Sequence, residues 1–178
     1  LDTTRADRLS ALGNAHAVTP VLDGLAAAGV LFRRHFANAH ATRSSMPQLM
    51  SGRYYHQNIL GTFRPDEHPR EFPFTRPDPE PTLLPALLRT HGYRTLGVSA
   101  HPWVVADSEF GRQFDQLELV PFPARRGHGD AGQVVDRAIA LWQDRARDRP
   151  LFLYLHLMDM HMPRPLPDGE PRFPVPGF

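Results

Sequence analysis

Two rhythms of apolar and polar positions run through the chain. Val134, Val135, Ala138, Ile139 and Trp142 recur at helical spacing, so "DAGQVVDRAIALWQDRARD" predicts an amphipathic helix. "TPVLDGLAAAG" predicts another, with Thr19 as N-cap, Pro20 in the first helical position and Gly29 as the left-handed stop. Val21, Leu22, Leu25 and Ala28 form its apolar face. "SSMPQLMSG" reads as a short helix capped by Ser44 or Ser45 and ended by Gly52. "TLLPALLRTHG" reads as a helix capped by Thr82 and stopped at Gly92. The second rhythm is short and strongly apolar: "VLFRRHFA", "YRTLGVSAH" and "PLFLYLHLMDMH" predict strands, the last ending in polar residues. "LDTTRAD" reads as the carboxyl end of a further strand with a polar loop behind it.

Strands alternating with helices predict an α/β layered sandwich, a largely parallel central sheet flanked by helices. Ligands of such sheets sit at the carboxyl ends of strands. Three polar clusters fall at such positions: Asp2 to Asp7, His40 to Ser45, and His156 to His161. There is no internal repeat and no Gly-rich phosphate loop. Residues 61–81 are dense in Pro and charge and predict a surface loop. Residues 162–178 are Pro-rich without core periodicity, and the chain opens on Leu1. These ends predict the N-terminal part of one domain spanning 1–178, incomplete at both ends, with the Pro-rich loop leading into a missing C-terminal part.

Composition narrows the function. Of 178 residues, 41% are hydrophobic, enough for a real core. No apolar run is long enough to cross a bilayer. Lys+Arg number 20 against 19 Asp+Glu, so no basic field invites nucleic acid. The absence of Cys excludes disulfides, thiolate metal sites and a Cys nucleophile. Compartment and oligomeric state stay open.

The clusters carry chemistry with alternatives. Asp2, at a strand end, suits either a turn cap or a hard cation. Thr42, just before a helix start, suits a cap or loop residue, or a nucleophile beside helix N–H groups. His156 suits a hydrogen-bonded position inside a strand. His161 lies past the strand end, where a ligand is within reach, and Asp159 suits orienting a histidine or closing the turn.

Five segments, in order, resemble the sulfatase branch of the alkaline phosphatase superfamily. "LDTTRADRLSALG" is similar to the opening strand and loop whose first Asp binds metal. "VTPVLDGLAAAGVLFRRHFANA" is similar to a "TPNLDALAAEGVRF" helix and strand. "HATRSSMPQLMSGRYYHQ" falls where the family places its nucleophile, "HGYRTLGVSAHPWV" with "FGRQFD" resembles the later strand and turn, and "RPLFLYLHLMDMHMPRP" resembles "PFFLYLHFxDPHxPY". Counting back from Gly52 puts Thr42 at the nucleophile position, with Ser44 in place of the motif's Pro and Met46 in place of its Arg. Ala100 stands where the arylsulfatases have a Lys, and no later Asp-His motif occurs.

The resemblance implies an alkaline phosphatase-like fold and a metal-dependent hydrolase or transferase of sulfate or phosphate esters, phosphodiesters included. It implies Thr42 as nucleophile, Asp2 and Thr42 on the metal, His161 and His101 as catalytic imidazoles, and Arg43 and His156 on the substrate. The cofactor implied is a divalent cation, calcium first, with magnesium, manganese or zinc as alternatives. The substrate implied is a small-molecule, glycan or lipid ester. Thr, unlike Cys or Ser, does not give formylglycine, which points toward phosphoesters. With half a metal site, the 178 residues alone are expected to be inactive. Asp2, Thr42 and His161 are expected to converge at one sheet edge. The competing reading is a non-catalytic sulfatase-like domain that binds or scaffolds, favoured by Met46 and Ala100.

Overall fold

The computed structural model describes residues 1–58, 82–121 and 129–161. The predicted loops at 61–81 and 162–178 lie outside the described residues. Three strands, β1 (Arg94–Ser99), β2 (Gln116–Leu119) and β3 (Leu151–His156), form a parallel sheet in the order β2-β1-β3. The helices are α1 (Pro20–Ala28), α2 (Thr42–Ser51), α3 (Tyr55–Asn58), α4 (Leu84–Thr90) and α5 (Ala131–Asp144). The α/β fold with a parallel sheet is as the alternation of elements predicts.

Side chains alternate across the strands with a period of two, and each face has its own core. On one face Leu96, Val98 and Ala100 of the β1 segment meet Val134, Ala138 and Leu141 of α5 and Met158, flanked by Leu151, Leu153 and Leu155. On the other, Met46 and Met50 of α2 pack with Leu83, Phe110, Phe114 and Leu117, flanked by Phe152 and Tyr154. Gly97 lies on this second face. A Cβ there would stand 2.3 Å from Leu117 Cδ1 and 3.3 Å from Phe114 Cε1, so the missing side chain makes room for the aromatic cluster.

Several local expectations are corrected. Segment 30–37 forms no strand, and Val30, Phe32 and Phe36 are exposed. A strand exists through its ladder, and no described strand pairs with this one. The α1 helix forms, yet none of its residues is buried, and Val21 and Leu25 are exposed. Gly29 ends it at φ −124° rather than in the left-handed region, and Thr19 holds the N-cap position without a side-chain cap bond. Its hydroxyl lies with Ser10 and Asp23, at 2.5 Å and 3.2 Å, tying α1 to the turn at Ser10–Leu12. In α5 the buried stripe is Val134, Ala138 and Leu141, while Val135, Ile139 and Trp142 are exposed. Both stripes have helical spacing, and only the position of the sheet selects one.

The helix starts shift as well. α2 begins at Thr42, with Ala41 as N-cap and no side-chain cap. The Ser44 hydroxyl instead donates back to the Ala41 carbonyl at 3.1 Å. α4 follows Leu83 rather than Thr82. The stops at Gly52 (φ +67°) and Gly92 (φ +81°) are left-handed, as a helix end before a sharp turn requires. β2 starts directly after the "FGRQFD" turn, and the sequence pattern does not predict this strand. Asp115 just before it accepts from the Thr95 N–H at 2.8 Å, which joins the amino ends of β1 and β2.

Candidate active site at the carboxyl edge of the sheet

Because the strands are parallel, β1 and β3 end at the same edge. Ser99 is in register with His156, and the Ala100 N–H donates to the His156 carbonyl at 3.0 Å. Asp2 comes to this edge too, its N–H donating to the Leu157 carbonyl at 2.9 Å. The neighbouring Thr3 has φ +50°, left-handed backbone that costs a β-branched residue about 1–3 kcal/mol and turns the chain sharply behind Asp2.

The Asp2 carboxylate is the hub. Its Oδ2 accepts from the Thr42 hydroxyl at 2.8 Å and pairs with His156 Nε2 at 3.0 Å. His156 Nδ1 lies 2.7 Å from the Tyr154 hydroxyl, which also has Met46 Sδ at 3.7 Å. The side chains of His156 and Asp2 are only 6% and 10% exposed, so the pair is largely withdrawn from water. The His156 hydrogen bond is the main reason the Asp2 carboxyl is lowered from 3.8 to about 2; burial opposes this, and Thr42 reinforces it. The Tyr154 hydroxyl is pushed well above its ordinary value, first by burial and then by the Asp2 charge, so it stays protonated. Since a carboxylate only accepts, Nε2 carries the proton toward Asp2; in the neutral ring Nδ1 then accepts from Tyr154.

A pocket of about 500 Å³ opens over this hub. Asp2 to Arg5 form one wall, Ala39 to Thr42 another, and Tyr154 to His156 the floor. Thr42, Ser45, Met46 and Leu49 line it from one face of α2 at helical spacing. Thr42 is the first residue of that helix, where the N–H groups of the opening turn favour an anion.

The structure thus places Asp2, Thr42 and His156 together. His101 is close: its ring centroid lies 5.0 Å from that of His156, and its Nδ1 accepts from the Trp103 N–H at 3.1 Å. His101 is buried. His161 sits on the turn after β3, its N–H donating to the Met158 carbonyl at 2.8 Å, and it does not line the pocket. Arg43 is in the first turn of α2, and its side chain lies outside the described residues. Asp159 accepts from the Ala131 N–H at 3.3 Å, at the start of α5. Met46 and Ala100 are core residues. Tyr154 is the member that sequence reading misses. The signal was the period of two along β3, which puts residues 154 and 156 on one face.

The donor set fits a divalent cation in kind but not in number. Asp2 and Thr42 offer hard oxygens, yet among the described residues no three His, Asp or Glu side chains come together as metal ligands. Also among the described residues, no helix is long and apolar enough to cross a membrane.

A sulfatase family model matches residues 1–175. The chain belongs to the sulfatase family. Among solved structures, this sulfatase-family chain is similar to the C-terminal periplasmic domain of EcEptC from Escherichia coli, crystallised in complex with Zn. The identity is 16% and the TM-score 0.68, over 99% of this chain and 48% of that one. The chain therefore spans about half the length of this structural relative, and the likeness is one of fold. No curated protein matches it.

Proposed function

We propose that this sulfatase-family chain supplies the nucleophile half of an enzyme that hydrolyses or transfers phosphate or sulfate esters, with Thr42 as the attacking hydroxyl. The observation that carries the reading is the Thr42 hydroxyl, held at 2.8 Å on the Asp2 carboxylate, at a helix start and on a pocket wall. The hydrogen bond holds the hydroxyl oxygen in place on the pocket wall. The opening turn of α2 offers N–H groups to the anionic ester. Attack in line forms a bond from Thr42 Oγ to phosphorus or sulfur as the hydroxyl proton passes to the Asp2 carboxylate that accepts it and the ester oxygen leaves. Water then displaces Thr42 in hydrolysis, and an acceptor hydroxyl does so in transfer.

In this reading Arg43 pairs with the substrate anion, while His101 beside His156 and His161 on the turn after β3 lie outside the pocket lining and act on a leaving group that extends past it. A divalent cation completes the proposal. Asp2 and Thr42 are the residues of this chain that would hold it, with its other ligands outside the described residues. Its charge would lower the hydroxyl pKa. Calcium, magnesium, manganese and zinc are the ions to compare.

The test is the full-length protein with bis(p-nitrophenyl) phosphate and p-nitrophenyl sulfate, each with the four metals in turn. Turnover is expected with the phosphodiester, and Thr42→Ala is expected to abolish it with the fold intact. Turnover that survives Thr42→Ala refutes the assignment. A second reading, a non-catalytic binding domain, is favoured by one observation: Met46 and Ala100, where relatives of the family motif carry cations, are buried in the core. Tight binding of a phosphate or sulfate ester without turnover in any metal supports that reading.

A further inference from the structure

Both ring nitrogens of His156 are engaged inside the protein, one on Asp2 and one on Tyr154. A substrate-binding imidazole would offer a nitrogen to the pocket, and this one offers none without breaking a bond to the protein. We propose that Tyr154 and His156 are a positioning pair: the phenol fixes the imidazole, and the imidazole holds the Asp2 carboxylate turned toward the Thr42 hydroxyl. The inference rests on the reading of Thr42 as the reacting hydroxyl, and it adds what aims it.

Each link has its own reason. Residues two apart on a strand share a face, so β3 itself delivers the Tyr154 hydroxyl to His156 Nδ1 at 2.7 Å. The ring of Tyr154 is wedged among Phe110, Phe114 and Met46, with ring centroids 5.5 Å and 5.9 Å from the two phenylalanines. A phenol anchored this way has little freedom to leave its partner. A Tyr hydroxyl has one proton, so when it donates to Nδ1 the Met46 sulfur is only a neighbour. With Nδ1 accepting, Nε2 must carry the ring proton, and that N–H is directed at Asp2 Oδ2, 3.0 Å away. The same oxygen receives the Thr42 hydroxyl. The chain of bonds thus runs from the aromatic core of one sheet face to the pocket wall. Carboxylates and imidazoles at reactive sites are commonly oriented in this manner by groups that never touch the substrate.

The full-length protein provides two arms. The first is a double-mutant cycle in urea unfolding between Tyr154→Phe and Asp2→Ala, which do not touch each other. If Tyr154 acts through His156, the two effects are coupled by about fivefold in the unfolding constant, and the coupling disappears in a His156→Leu background. Tyr154→Phe keeps the ring and its packing, so a phenol that merely fills the core gives additive effects. The second arm is turnover of bis(p-nitrophenyl) phosphate. Tyr154→Phe is expected to lower kcat about five- to tenfold with KM unchanged, the scale of one buried hydrogen bond. His156→Gln, whose amide N–H can stand where Nε2–H stood, is expected to recover much of what His156→Leu loses. Additive unfolding effects overturn the proposal, and so does unaltered kcat in Tyr154→Phe. Absence of turnover in the wild-type protein sinks the reading of Thr42 instead, and the unfolding cycle then decides the positioning pair alone.

Discussion

Replacing Asp2 by Asn keeps the shape and an oxygen that can accept from Thr42, while removing the charge. The carboxyl sits at about 2 in the folded protein, chiefly through the His156 hydrogen bond, against an ordinary 3.8. A depressed carboxyl contributes stability that is fully present above its unfolded value and is lost as pH falls through its folded value. The window is therefore about pH 4 down to about pH 2. At 1.36 kcal/mol per tenfold in proton affinity, the gap corresponds to at most about 2.5 kcal/mol. The carboxylate keeps some contact with the pocket's solvent, which screens it, so about 1–2 kcal/mol is the expected value. The assay is urea unfolding of wild type and Asp2→Asn at intervals from pH 7 to pH 2. Other carboxylates titrate in both proteins and cancel in the difference. Wild type is expected to lose about 1–2 kcal/mol more than Asp2→Asn across the window. Parallel profiles would refute the argument, because they would mean that His156 and Thr42 do not favour the ionised form.

Thr42→Ala is expected to change unfolding free energy by only about 1 kcal/mol while removing turnover, which calorimetry and the ester assay together check. Val134→Ala is expected to cost about 1–3 kcal/mol and Val135→Ala under about 0.5, because the first is fully buried and the second 38% exposed; urea midpoints would report equal costs if the helix faced the sheet differently. Gly111→Ala is expected to destabilise by about 2 kcal/mol or more, since its Cβ would lie 1.9 Å from the Val105 carbonyl oxygen, and backbone rather than a flexible side chain would have to yield. A thermal midpoint within a degree of wild type would show that this turn tolerates the shift.

The elements that form from their own residues were legible in the chain. α5 has a strong helical rhythm, and Asp130 caps it by accepting from the Gly132 and Gln133 N–H groups. β1 and β3 are short apolar runs, and they pair in parallel, as α/β alternation implies. Asp2, Thr42 and His156 stood out as polar residues at strand and helix ends, which is where a parallel sheet gathers its ligands.

What the chain's pattern left undecided were choices between equivalent local answers. Val134 and Val135 both sit at helical spacing, and only contact with the sheet buries the first and leaves the second in solvent. "VLFRRHFA" has a strand's composition but no described ladder partner, and local preference does not create one. The site is the clearest case. Asp2 and His156 are 154 positions apart, and Thr42 lies 40 positions from Asp2. No periodicity spans such distances. Residue types and the existence of α5, β1 and β3 were determined by the sequence alone. That Tyr154, His156, Asp2 and Thr42 share one run of hydrogen bonds was decided only when parallel strands brought their carboxyl ends to a common edge and the packed rings held Tyr154 within reach of His156.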